Sequence, residues 1–209
     1  MTLTIIGVGV LAMVEAQQAF IHSNLWSSHA ASGAYLGGEI RELMRGLPRH
    51  DPASGLSGDP AVFGPETGET TVDDYDDIDD FDGVIFGLNG TNPGPIDAIG
   101  RLIPQLDNLG AVVLDENDNP VAMAGWSQQV IVEKIEPFDT ALVRADDYYR
   151  VPPGSDDNDA PIGANGSGLP PLTVDAFPLR VTVVMRYTPD RPDAVTTEIS
   201  RISWIVPRD

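Results

Sequence analysis

The strongest chemical signal in this chain is a run of carboxylates. Residues 66–82 hold nine acidic side chains and no basic one, and close on Asp73-Asp74-Tyr75-Asp76-Asp77-Ile78-Asp79-Asp80-Phe81-Asp82-Gly83. Hard cations such as calcium collect several carboxylate and carbonyl oxygens from one loop. Asp76, Asp77, Asp79, Asp80 and Asp82 are therefore the candidate metal ligands. The spacing is not that of an EF-hand: with Gly83 set on the turn glycine, Asp80 and Asp82 fall in register but Ile78 stands where the first ligand belongs. Clustered acids also serve as solvated faces, and that alternative stays open. Asp156-Asp157-Asn158-Asp159 is a shorter candidate of the same kind.

Other constellations carry less. Gly7, Gly9 and Ala12 match the GxGxxG/A spacing that lets a backbone approach a pyrophosphate at a helix N-terminus. No alternation of strand and helix follows, and small residues in a tightly packed helix account for the same pattern. His22 and His29 could share a helix face, but no third ligand lies nearby, and His50 stands apart. Gly125-Trp126-Ser127-Gln128-Gln129 lacks the second glycine of a nucleophile elbow, and neither HExxH nor a P-loop occurs. Nothing places a nucleophile, a base and an oxyanion donor together, so no catalytic residue is assigned and a non-enzymatic role is expected. With no cysteine there are no disulfides or thiolate ligands. A net charge of −20 argues against nucleic acid, whose phosphates require clustered Lys and Arg. The sequons at Asn89 and Asn165 bear only on a glycosylating secretory pathway.

The elements that must position these residues read as follows. Residues 4–47 contain no proline, and Pro48 is the first hard stop for a helix. One long helix is expected, about 65 Å at a rise of roughly 1.5 Å per residue. Its start is apolar on every side, which a helix tolerates only inside a membrane or a protein core. Further on, Leu36, Ile40, Leu43 and Leu47 recur at spacings of three to four and define one apolar face. The apolar run 5–14 is shorter than the ~20 residues that span a bilayer, and Glu15 interrupts it, although Ala16, Ala19, Phe20 and Ile21 continue its character. A secretory signal would show a basic segment before that run, and none is present.

Residues 49–110 are rich in Pro, Gly and Asp and read as an irregular acidic connection, with a brief strand at 84–86 and a helical turn or two within 95–106. The period then changes. Residues 111–114 and 121–124 flank a turn-rich hexapeptide and suggest a hairpin, 128–135 is a β-branched run, and 152–171 is a polar insert. In 180–188, Val181, Val183, Met185 and Tyr187 alternate with polar residues; in 196–206, Ile202, Trp204 and Val206 do the same. An antiparallel pair is expected there. No internal repeat is evident. The layout is α+β: a long N-terminal helix over 1–48 (apolar half about 3–25, amphipathic half about 26–47), the connection over 49–110, and an antiparallel sheet domain over 111–209 packed on the helix.

Charge follows the same division. Residues 1–50 sum to zero, and the remaining 159 carry 29 acids and nine bases. These pieces together resemble the type IV pilin-like proteins, which include minor pilins and the pseudopilins of type II secretion. Met1-Thr2-Leu3 before an apolar helix looks like the mature start of such a subunit, and residues 38–45 resemble the amphipathic half of its helix. Phe63-Gly64-Pro65-Glu66-Thr67-Gly68-Glu69, the acidic segment 75–83, Trp126-Ser127-Gln128-Gln129-Val130 and the closing Trp204-Ile205-Val206-Pro207 are similar to a minor pilin sheet domain. Members carry a basic leader ending in Gly and a Glu at the fifth mature position; counted from Met1, Ile5 stands there. The resemblance implies a structural subunit of a pilus or secretion filament, resident in the membrane before assembly and then in the periplasm or an extracellular filament. Its partners would be other pilin or pseudopilin subunits, met through helix packing by Ile5, Ile6, Val8, Val10, Leu11, Met13, Val14 and Phe20. It implies no cofactor beyond the possible calcium. Two alternatives stand beside it: an acidic, soluble or extracellular calcium-binding or adhesion module, and a nucleotide-binding enzyme using Gly7, Gly9 and Ala12.

Overall fold

The uninterrupted proline-free start folds as one helix, α1, over Thr2–Leu43. The computed structural model describes residues 2–51, 55–57, 63–150 and 172–208, and side chains from residue 10 onward. With 42 residues, α1 is about 63 Å long. It ends in a tight 3₁₀ turn over Met44–Gly46, where the Leu47 N–H donates to the Met44 carbonyl at 3.2 Å and Leu47 turns extended ahead of Pro48.

The two halves of α1 differ as their sequences do. Every residue from 10 to 28 is exposed. Beyond that, Gly33, Leu36, Gly37, Ile40 and the following Met44 turn inward at helical spacing and bury against the sheet. Gly33 and Gly37 make the approach close. A Cβ on Gly37 would sit 2.8 Å from Ile202 Cδ1, and one on Gly33 would sit 2.9 Å from Ser200 Oγ.

The sheet is antiparallel throughout. Its strands are β1 (Ile85–Gly87), β2 (Trp126–Glu136), β3 (Asp139–Val143), β4 (Leu179–Tyr187) and β5 (Thr197–Val206), ordered β1-β2-β4-β5, with β3 folded back on the end of β2. Alternate residues face α1: Trp126, Val130 and Val132 from β2, and Leu179, Val181, Val183 and Met185 from β4. Half-buried Ile199, Trp204 and Val206 of β5 pack at the edge of this core. The expected α+β arrangement, a long N-terminal helix on an antiparallel sheet, is the observed one.

The stretch 49–110 is more than a connection. Ile78, Phe81, Val84, Phe86 and Ile96 are fully part of the core. The brief strand expected near 84–86 is β1, paired with β2. The helical turns expected in 95–106 do not form; instead Ile96 bridges Leu102 across a turn at Asp97. The same turn recurs at Asp107 and Asp115, so the chain does contain a repeat. In each, the Asp N–H donates to the carbonyl four residues on at 2.8 Å. Each Asp Oδ1 also accepts the N–H groups two and four residues on, at 2.8–3.0 Å. The fourth residue is Gly100, Gly110 or Asp118, each at positive φ. Bonds from Val113 N–H to the Gln105 carbonyl, Val121 to Val113 and Gln105 to Val121 join the last two turns in a closed ring. The hairpin expected around 111–124 belongs to this unit.

Candidate functional site

Ile78 and Phe81 must be buried, and this carries the acids between and beside them inward. The Ile78 N–H donates to the Pro48 carbonyl at 3.0 Å, which ties the segment to the end of α1. A 3₁₀ turn over Asp79–Phe81 follows. It is closed by a reciprocal pair: Asp77 Oδ1 accepts the Asp80 N–H at 3.2 Å, while Asp80 Oδ2 accepts the N–H groups of Asp76 and Asp77 at 2.9 and 3.1 Å. The logic is that of a capping box, with carboxylates satisfying orphan amide donors from both sides.

The other acids are engaged one by one. Asp79 Oδ1 meets His50 Nδ1 at 3.0 Å, with both side chains buried, and Asp79 Oδ2 accepts the Gly64 N–H at 3.4 Å. Burial and the Arg49 charge push His50 down to about 4, while burial raises Asp79 to about 6. At neutral pH the pair is thus a neutral imidazole donating Nδ1–H to a carboxylate. Asp82 Oδ1 accepts the Val132 N–H at 2.7 Å and so serves β2 just ahead of the start of β1. Exposed Asp74 caps Thr70 and Thr71, whose N–H and hydroxyl donors hold its carboxyl below the usual range.

What remains is a pocket of oxygens. Carboxylate oxygens of Glu66, Asp77 and Asp80 lie within 4.8 Å of one another, as do those of Glu69, Asp76 and Asp80. Of the five predicted ligands, the structure thus groups Asp76, Asp77 and Asp80, and it engages Asp79 and Asp82 elsewhere. Glu66 and Glu69 complete the groups. They belong to the same acidic run, and the signal that could have found them was its full extent rather than its densest part. Burial raises Asp77 to about 9, and its acidic neighbours Asp79 and Asp80 push it the same way. Burial, and then Glu69, raises Glu66 to about 8.

The remaining sequence candidates separate cleanly. Thr2–Leu43 is helical throughout, so no strand-to-helix turn exists at Gly7, Gly9 and Ala12, and the geometry a pyrophosphate needs is missing there. His22 is exposed, while the His29 ring packs 4.4 Å from Tyr187 and 5.8 Å from Trp126, an aromatic contact at the point where α1 meets the sheet. Asp156, Asp157, Asp159 and Asn165 lie outside the described residues. Of the assembly candidates, the side chains of Ile5, Ile6 and Val8 also lie outside them. Val10, Leu11, Met13, Val14 and Phe20 are all exposed, Leu11 by 64% and Phe20 by 67%. Ile21, Leu25 and Trp26 extend the same surface. Among the described residues no helix is long and apolar enough to cross a membrane. Comparison with protein-family models, curated proteins and solved structures finds no match to this chain.

Proposed function

We propose that this chain is a structural subunit of a filament, of the minor pilin or pseudopilin kind, that assembles through the first half of α1. The observation that carries this reading is the contrast within one helix. Residues 10–28, roughly 28 Å of helix, stand exposed and present eight large apolar side chains to solvent among polar ones, while the second half is docked by its single apolar stripe. Large apolar side chains gathered on one exposed stretch mark a surface that a partner covers. Each large apolar side chain fully buried contributes about 1.5–3 kcal/mol, so several burying together can exceed the ~4–15 kcal/mol cost of association. Ala12, Ala16 and Ala19 would let a neighbouring helix come close.

In this reading the partners are equivalent helices of other subunits, with membrane residence before assembly. The acidic body faces outward, in the periplasm or on an extracellular filament. No part of the proposed role requires catalysis. The test uses the full chain with Leu11→Glu and Phe20→Glu combined, followed by sedimentation velocity with and without detergent micelles. The wild type should associate in plain buffer and become monomeric in micelles. The variant should stay monomeric in buffer with an unchanged melting temperature, because neither side chain touches the sheet. A wild-type chain that is monomeric in buffer would refute the proposal and favour a free acidic binding module.

A further inference from the structure

We propose that Glu66, Asp77 and Asp80 bind a calcium ion, with Glu69 and Asp76 on its solvent side, and that the ion pins the segment around Glu66 to the 3₁₀ turn at Asp79–Phe81. This stands independently of the assembly reading. Carboxylates in a row would not justify it, since most of this run is spent on backbone donors. The case rests on what those bonds leave over.

Asp77 and Asp80 are both 0% exposed. Each commits one oxygen to closing the turn, and its other oxygen, Asp77 Oδ2 or Asp80 Oδ1, is buried without a hydrogen-bond donor. Glu66 Oε2 is buried without a donor as well. An unsatisfied buried carboxylate oxygen is among the most unfavourable groups a fold can contain, and three together add mutual repulsion. Among the described residues no Lys or Arg hydrogen-bonds to these three oxygens. A single cation would supply the missing partner to all three at once.

The dimensions and donor set select the ion. Oxygens within 4.8 Å of one another can be spanned by one ion that holds them at about 2.3–2.6 Å, as calcium does. An all-oxygen, carboxylate-rich site suits a hard cation. Magnesium demands shorter, near-octahedral bonds and gives up its water reluctantly, which fits poorly with carboxylates already fixed by the 3₁₀ turn.

The experiment takes the full chain after chelator treatment and titrates it at pH 7 with calcium chloride or magnesium chloride, reading heat of binding and thermal unfolding. Calcium should bind one to one. At a hundredfold excess over Kd it should raise the melting temperature by about 5–10 °C. Glu66→Gln and Asp77→Asn each remove a charge and keep an acceptor oxygen. Both should bind calcium at least tenfold more weakly, yet melt at or above the wild type when no calcium is present. Glu66 lies outside the turn, so its variant keeps the test alive if Asp77→Asn fails to fold. The proposal is overturned if calcium leaves the wild type unmoved. It is equally overturned if both variants keep the full calcium response, or if magnesium reproduces it at equal concentration, since either would mean general screening of the −20 charge.

Discussion

Gln128 is the most informative single position in the fold. Its side chain is fully buried at the junction of α1, β2 and the first Asp turn. Oε1 accepts the Ile96 N–H at 2.7 Å, while Nε2 donates to the Ile96 carbonyl at 3.1 Å and to the Leu36 carbonyl of α1 at 2.9 Å. The amide therefore plays the part of a missing strand neighbour for Ile96, whose own backbone groups point away from the turn it begins. Gln128→Leu keeps the volume and removes all three bonds. The Leu36 carbonyl retains its place in the helix, but the Ile96 N–H and carbonyl are left buried and unpaired at about 1–3 kcal/mol each. Apolar burial by leucine returns part of this, so the net loss should be about 2–4 kcal/mol, or roughly 4–16 °C in melting temperature. Urea unfolding measures the loss, and hydrogen exchange at the Ile96 amide locates it. Gln128→Glu sharpens the test. An ionised Glu keeps the acceptor for Ile96 but faces two carbonyls with a charge, so it should be worse than Leu at pH 8 and recover towards pH 5, where its proton can donate. The reasoning fails if Gln128→Leu stays within about 0.5 kcal/mol of wild type, or if Ile96 exchanges no faster.

Two further outcomes follow from the same structure. Without divalent cations, stability should fall as pH rises from 6.5 to 8. Asp77 and Glu66 titrate near 9 and 8 in the fold but in the ordinary carboxylate range when unfolded, so the folded state holds the extra protons and loses that advantage as they leave. The window is bounded by neighbours of opposite sign. Below 6.5, His50, held near 4, destabilises as pH falls, while Asp79 near 6 acts against it; above about 8, buried Lys134 begins to favour the fold. Chemical denaturation across that window, repeated with saturating calcium, should show the slope and then its loss; a flat profile without calcium contradicts the assignment. The second outcome concerns adjacent glycines of α1. Gly37→Leu should cost about 1–3 kcal/mol, because its first carbon already meets Ile202. Gly38→Ala, with nothing within 4 Å of its Cβ, should gain about 0.5–1 kcal/mol from helix propensity. Thermal melts that rank the two variants the other way would mean α1 does not press on β5 as described.

The elements legible in the sequence are those whose period is set by one-sided burial. Leu36 and Ile40 carry the helical spacing, and Val181, Val183 and Met185 the strand spacing, because each element has one face on the core. Ile78 and Phe81 are as deeply buried but have no such pattern. They enter the core singly, between acids, and are held from far along the chain, as by the bond from the Ile78 N–H to the Pro48 carbonyl. The acidic run is hard to read for a related reason. Asp76 and Asp77 are neighbours of one chemical type, yet one is exposed and the other is 0% exposed. Which of them could serve a cation depends on which oxygens the turn at Asp79–Phe81 has already used. The three Asp turns escape notice because they share little beyond an apolar residue before the Asp, the Asp itself and a residue tolerant of positive φ; the positions between can be anything that leaves the amides free.

The same contacts explain why half of a helix can stand free. A protruding helix is useful to an assembly only if its direction relative to the body is fixed, and the docked half of α1 is held at three separated levels. Gln128 grips the Leu36 carbonyl, the Glu39 carboxylate accepts the Ala98 N–H at 2.7 Å, and the Pro48 carbonyl just past the helix accepts the Ile78 N–H at 3.0 Å. Each grip comes from a different segment: β2, the first Asp turn, and the acidic lobe. Helix pitch, roll and exit are thereby set independently of the apolar contacts, which resist sliding only weakly because dispersion and burial are non-directional. The acidic lobe joins this clamp through Ile78, so a cation at Glu66, Asp77 and Asp80 would stiffen the base from which the exposed half projects. If both proposals hold, charge and assembly would be linked mechanically, because the carboxylates sit at the foot of the helix and neutralising them would govern how firmly that foot is held.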